Sequence, residues 1–392
     1  MILANISSVL VNILYVIIAI VVLLTMVLIH EFGHYIVGRI LGFTITEFSV
    51  GFGKAILQRK NKRGELISLR IFPLGGYCAF LGEGDAGDSN ENADDSENNN
   101  LSKNSQSEQI ETLSQEKKVM FNDQKPWKRL LVFVAGVTFN FISAFIFAII
   151  FLSVASFDGY SISPSSGYSV NVYSVSTNEI VGTLDNNTTV CAVNGVRINY
   201  AREKTFPALV NNNDDRINLT IIVDGENQDV YIKKENVKTV VVDGENVDEY
   251  IFGIDMTTKR INYNFGNVLA DFAPFTLRIS VLIVNAFGMI ITGKIALNQL
   301  GGPISTITQI SQVASLGIAN FLYLLPLLAA NLAIFNILPI PGLDGSHVVF
   351  TTIEWIRGKP IKREIENAIH TWGIIVLFAF VIIIDLVHMI TA

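Results

Sequence analysis

Charge is scarce in this 392-residue chain. Asp, Glu, Lys and Arg make up 16% of it, against 50% hydrophobic residues. Soluble domains carry about 25% charged residues, so membrane-crossing segments are sought before any soluble fold. Cysteine is scarcer: Cys78 and Cys191 lie in different loops, which the charge pattern below assigns to opposite faces of a membrane. That separation excludes a disulfide framework and a thiolate metal site. No basic patch points to nucleic acid. The net charge of −7 is local, because ten acidic and three basic residues fall between Glu83 and Lys118 and the rest of the chain balances. The first apolar segment has no basic stretch before it and no small-residue cleavage site, and it reads as a retained segment rather than a signal peptide.

A helix crossing the hydrocarbon core needs about 20 mostly apolar residues. Val9–Ile29, Leu130–Phe157, Leu316–Ile340 and Trp372–Ile390 meet that length. The fold class is therefore a polytopic α-helical membrane protein with about four transmembrane helices. A fifth apolar run, Val281–Thr292, is bounded by Arg278 and Lys294. It provides only about 20 Å of helix, and reads as interfacial or re-entrant. Residues 1–8 carry no Lys or Arg, whereas the loop from Leu343 to Thr371 carries Arg357, Lys359, Lys362 and Arg363. Positive charge in short loops marks the cytoplasmic side, so both termini are expected outside and the 343–371 loop inside.

Between these segments the composition shifts twice. Gly84 to Gln115 is rich in Asn, Asp, Ser and Glu and cannot bury enough apolar surface to order itself. Ser165 to Tyr263 alternates apolar and polar residues in runs such as Leu219–Val223, Val230–Lys233 and Val237–Val242, separated by Asp-Gly pairs that favour tight turns. Val190 to Ile198 reads as strand, Asn-Gly turn and strand. The expected divisions are a first span with its following polar region (1–83), an acidic insert (84–118), a second span (119–160), a β-rich domain (161–265), an interfacial or re-entrant region (266–315), and third and fourth spans (316–392).

His30-Glu31-Phe32-Gly33-His34 reads H-E-x-x-H. On a helix, positions i and i+4 share a face, so both imidazoles reach one metal while Glu31 projects beside them. The plain alternative is a pair of incidental histidines packing a helix. Location weighs against it: the motif ends a long apolar run, where an ionisable group costs about 2.5–3.5 kcal/mol on insertion scales. A bound cation would compensate. Catalytic zinc takes three protein ligands and keeps one position open. The remaining candidates are His347, His370, His388, Asp344 and Asp385. Asp344-Gly345 taken alone is a turn signal. Its place at the cytoplasmic end of the third long span, the face where the first span ends, favours Asp344 as third ligand, with Glu31 as general base. A zinc transporter would also place His and Asp in spans, but would not need the Glu between them. A catalytically dead scaffold would lose the ligands, and this chain keeps them.

Two motifs together carry a resemblance. H-E-x-x-H in a first span, and Asn336-Ile-Leu-Pro339-Ile-Pro341-Gly-Leu-Asp344-Gly345 as N-x-x-P-x-P-x-L-D-G, resemble the site-2 protease family of intramembrane zinc metalloproteases, in its bacterial RseP-like branch. Phe48 to Lys54 and Phe72 to Tyr77 resemble that family's membrane-associated β-hairpin region. Gly136-Val137-Thr138-Phe139-Asn140 resembles its G-P-x-x-N helix start, with Val137 in place of proline, and Gly302-Pro303-Ile304 its segment before the third span. The resemblance implies zinc held by His30, His34 and Asp344, and Glu31 activating the hydrolytic water. Read from the residues, Asn140 either bonds a neighbouring helix or contacts the unwound substrate, Asn336 with Pro339 and Pro341 either shapes a wet break in the third span or contacts substrate, and Gly75 and Gly76 permit close approach of a substrate strand. The resemblance also implies an extracytoplasmic PDZ-like domain, with Ala192 to Ile198 as its core strand. Its expected partners are the lipid bilayer and single-span membrane proteins such as anti-sigma factors or remnant signal peptides, with room for an upstream site-1-type protease. The expected setting is the bacterial inner membrane, with the active site near the cytoplasmic side.

Overall fold

A computed structural model describes residues 2–83, 120–211, 214–242, 245–294 and 301–391. The insert expected at 84–118 lies outside the described residues, as does the Asp243-Gly244 pair. The chain separates into two compact units, 1–144 with 280–392, and 145–279.

In the first unit, helix α1 (Ile2–Ile40) runs for 39 residues and carries the H-E-x-x-H inside it rather than at its end. Strands β1 (Ile45–Lys60) and β2 (Leu66–Phe80) follow as an antiparallel pair. Their register is doubled. Glu47, Phe48, Ser49 and Val50 each pair with 76–79 on one side and 66–69 on the other, while 55–60 pairs with 66–70. The order across this small sheet is thus 76–80, 45–50, 66–69, 55–60. The segment Ser68 to Phe72 starts inside the sheet, and Gly76 to Phe80 forms one margin. Phe43, Phe80, Phe121 and Phe133 pack in a buried aromatic cluster that anchors this sheet to the start of helix α2 (Pro126–Ala155).

The second unit holds an antiparallel sheet. Its strands are β3 (Gly159–Pro164), β4 (Asn171–Ser174), β5 (Ile180–Thr183), β6 (Thr188–Val193), β7 (Val196–Arg197), β8 (Arg216–Val223), β9 (Glu226–Lys233) and β12 (Ile254–Lys259), in the order β12-β3-β6-β8-β9-β4-β5 with β7 paired to β6. Helix α3 (Phe206–Leu209) covers part of it, and β10 (Asn236–Val242) with β11 (Glu245–Ile251) makes a separate hairpin. The strands follow the alternation read from the sequence. Ile217, Leu219 and Ile221 of β8 face a core shared with Ile162, Val190 and Ile232. Asn194-Gly195 and Asp224-Gly225 both adopt positive φ, as two-residue hairpin turns of the primed kind require.

Helix α4 (Phe265–Ile291) differs from expectation. It is 27 residues long, with Pro274 inside it, rather than a short run beginning near Val281. Arg278 does not end it, because its Nη1 donates to the Tyr200 carbonyl and the charge is accommodated. Val268, Phe275 and Ile279 continue the apolar face across that point. Among the described residues, five helices are consequently long and apolar enough to cross a membrane, by length and composition: 10–40, 126–155, 265–291, 318–337 and 364–387. The four segments expected to span are among them, and 265–291 contains the run expected to be interfacial or re-entrant.

The rest of the first unit comprises α5 (Pro303–Ser315), α6 (Ile318–Ile337), α7 (Asp344–Arg357) and α8 (Arg363–Thr391). Asp385 of α8 is buried and caps α5, its carboxylate accepting from the N–H groups of Gly302, Ile304 and Ser305 at 3.0, 3.1 and 3.2 Å and from the Ser305 hydroxyl at 2.8 Å. A carboxylate at a helix N-terminus satisfies orphan donors and meets the positive end of the dipole. This duty removes Asp385 from the candidates for a metal ligand.

Candidate active site

His30 and His34 lie one turn apart on α1, and both are buried, 7% exposed. Their rings stand nearly perpendicular, 83° apart, with Nε2 atoms separated by 3.2 Å. The third member arrives from far along the chain. Pro339 lacks an N–H and cannot continue α6, which ends at Ile337; after six intervening residues α7 begins on Asp344. Gly345 allows this tight return: a Cβ there would stand 2.3 Å from the carbonyl oxygens of Ile337 and Leu338. Asp344 Oδ2 thereby comes to 2.8 Å from His30 Nε2 and 3.2 Å from His34 Nε2.

These separations pass the test for a metal. Bonds of about 2.0–2.1 Å in a tetrahedral site hold neighbouring ligand atoms roughly 3.4 Å apart, so one ion between these three atoms needs only a slight spreading. The Oδ2 atom is buried and has no hydrogen-bond donor. His34 Nδ1 stands 2.8 Å from the Val132 carbonyl, which fixes its proton there and leaves Nε2 as a bare lone pair. His30 Nδ1 lies 3.0 Å from the Asn140 amide, whose Oδ1 is itself buried without a partner. Turning that amide over gives Oδ1 the Nδ1 proton of His30 and frees the second Nε2 in the same way; such flips are assigned from the network. Gly136 of α2 faces both rings, and a Cβ there would fall 2.4 Å from His34 Nε2 and 2.8 Å from His30 Nε2. Only glycine leaves the cradle open.

Glu31 lines the adjoining cavity of about 730 Å³ together with His34, Tyr77, Cys78, Asp344 and His347. The Cys78 backbone N–H at the sheet margin donates to its carboxylate. Gly76 backs the same residue, since a Cβ there would sit 3.2 Å from Glu31 Cγ and 2.8 Å from the Ser49 carbonyl.

A family model described as Peptidase family M50 matches residues 18–380. The chain belongs to this family. It is a zinc-dependent peptidase of the site-2 type, embedded in a membrane. Curated relatives carry the name zinc metalloprotease. One from Agrobacterium fabrum is 29% identical, over 94% of this chain and 93% of its own length. One from Fusobacterium nucleatum is 25% identical over 94% and 96%, and one from Campylobacter jejuni 28% identical over 89% and 86%.

Of the residues singled out from this peptidase's sequence, His30, His34 and Asp344 converge, with Glu31 beside them. Asn140 and Asn336 both reach the His30 ring, Asn336 Nδ2 at 3.4 Å from Nδ1. Gly75 and Gly76 run past Val27 and Glu31 of α1. Gly136, met in the sequence as the first residue of the helix-start motif, proves to face both rings; two further features carried no signal that we used there, the Val132 carbonyl and a second cluster of His347, Glu366 and His370, whose candidate ligand atoms lie within 4.8 Å of one another. The spacing Glu366-x-x-x-His370 would have announced that last cluster, as i and i+4 positions share a helical face.

Proposed function

We propose that this peptidase performs intramembrane proteolysis, cutting single-span membrane proteins at a site built from His30, Glu31, His34 and Asp344. The observation that carries the reading is the meeting of two imidazole Nε2 atoms and one carboxylate oxygen within 3.2 Å, beside Glu31, on a helix otherwise apolar enough to span. His30, His34 and Asp344 would hold zinc, and the metal, when bound, supplies Lewis acidity to the scissile carbonyl and to water. Glu31 takes the proton from the attacking water and returns it to the leaving amine. Val132 and Asn140 hold the imidazoles in the tautomer that ligation needs.

A peptide bond within an intact helix is shielded by its own hydrogen bonds, so the substrate must unwind before cleavage. The margin strand 76–80, next to Glu31, is the edge to which an unwound segment adds as a further strand, taking over the Cys78 N–H that now meets Glu31. The nature of this substrate fits anti-sigma factors or remnant signal peptides left in the bacterial inner membrane by an earlier, site-1-type cut, with the active site toward the cytoplasm. The β-rich domain at 161–265 serves as a PDZ-like docking or size-filtering domain outside.

The deciding experiment uses purified full-length Glu31→Gln protein, assayed for metal and for cleavage of a model transmembrane helix. Metal is retained and turnover falls by about 10²–10⁴ or more. Normal turnover in that variant would remove Glu31 from the role of base.

A further inference from the structure

One turn before Glu31 on α1, a second cavity of about 260 Å³ opens beside the sheet margin. Its walls are Leu23, Met26 and Val27 of α1, Gly75 of β2, and Leu328 and Leu332 of α6. Polar side chains enter the wall only as Asn331 and Thr306, and no charged residue lines it. Gly76 links this cavity to the catalytic carboxylate: a Cβ there would lie 3.4 Å from Val27 Cγ1 and 3.2 Å from Glu31 Cγ. The strand therefore passes between the two with no side chain to separate them.

We propose that this cavity is a substrate subsite, which takes one uncharged apolar side chain from the unwound segment next to the scissile bond. The inference rests on the proteolytic reading above. A strand added to the margin at 76–80 would send alternate side chains to opposite faces, and one of those directions leads past Gly75 into the cavity. Size sets the occupant, since an apolar cavity of about 150 Å³ already holds a benzene molecule. The present one accommodates a leucine or phenylalanine side chain. A carboxylate or ammonium group is excluded, because burial without a partner opposes the charged form strongly. The subsite thus selects substrates by a bulky apolar residue at one fixed distance from the cut, and the margin strand supplies sequence-independent backbone pairing.

The test takes a model transmembrane substrate with a mapped cut and varies each flanking residue singly to Ala, Leu, Phe or Asp. The readout is the ratio of kcat/KM values for wild type and for Leu332→Trp, which fills the cavity, and Leu332→Ala, which enlarges it. At one position wild type prefers Leu or Phe over Ala by about tenfold or more, and Asp is not cleaved. Leu332→Trp lowers the Phe-to-Ala ratio at that position at least about tenfold, and Leu332→Ala does not. Ratios that stay put in both variants, with zinc content intact, overturn the subsite. Should both variants prove inactive, a disulfide between Leu332→Cys and a cysteine at the substrate position, in the Glu31→Gln background, decides instead: its formation supports the subsite and its absence overturns it. If Leu332→Trp only releases co-purifying lipid and leaves the ratios alone, the cavity holds an acyl chain and the proposal falls. A wild-type enzyme that cleaves none of these helices is a different result, and overturns the proteolytic reading itself.

Discussion

His30, His34 and Asp344 on the one hand, and His347, His370 and Glu366 on the other, offer the same donor chemistry: two imidazoles and a carboxylate on neighbouring elements. Their geometries differ in kind. In the first set the rings are nearly perpendicular and the nitrogen lone pairs, which lie in the ring planes, meet at the Asp344 oxygen. In the second the two rings lie face to face, 4.0 Å apart and 11° from parallel, with Phe133 stacked on the outer side of His347. Lone pairs of parallel rings run side by side and do not converge. Glu366 stands 3.9 Å from His347 Nδ1, and His370 Nδ1 accepts the Gly342 N–H at 3.3 Å. The comparison teaches that the same residue types at similar proximity can present their nitrogens quite differently. Ring orientation makes the difference, and the partner of the far nitrogen sets it.

Experiments can break or sharpen that contrast. The largest effect is expected from Asp344→Ala, which should empty the first site and abolish hydrolysis; full metal content by atomic absorption in that variant would sink the ligand assignment. Gly136→Ala should come next. Its methyl group would enter the space between the rings, and a displacement of about 1 Å costs about 10² in rate, measured as kcat/KM alongside zinc affinity. Asn140→Ala should weaken zinc affinity or turnover by about 10–100-fold, as loss of a histidine-orienting partner does; an affinity and rate equal to wild type would leave Asn140 as a helix-packing residue only. His370→Ala should leave the metal per chain unchanged, and a lost equivalent would show that the stacked cluster binds metal after all.

The smallest effect concerns pH. Burial, and then the adjacent His370, hold His347 down at about 4, well below the usual imidazole range. Between about pH 6.5 and 4 the unfolded chain therefore binds a proton that the folded chain refuses, so stability falls as pH falls through that window. Thermal unfolding at pH 5 and pH 7 should show a larger loss in wild type than in His347→Gln. Equal losses would mean that the stack is not the titrating element.

Much of the site was legible in the chain itself. The i, i+4 spacing of His30 and His34 is a property of any helix, and the break imposed by Pro339 and Pro341 before Asp344-Gly345 is equally local. The strands of the sheet unit announced themselves by alternation and by Asn-Gly and Asp-Gly turns. Less legible was the helix at 265–291, where Arg278 looked like a boundary because its acceptor, the Tyr200 carbonyl, is remote in sequence. The doubled register of β1 and β2 was hidden for a similar reason. Apolar alternation says which face a residue takes, but not which of two neighbours a strand will choose.

The sequence by itself determined the donor types, the glutamate between them, the apolar helices that carry them and the turn chemistry of the sheet, because each follows from residue identity and backbone geometry over a few residues. Only the tertiary structure decided that Asp385 caps a helix, that Gly136 keeps the space between the imidazoles open, and that His347 and His370 stack where His30 and His34 converge. Those outcomes depend on which remote carbonyls, amides and rings arrive at each side chain, and that is set by packing between elements rather than by spacing along the chain.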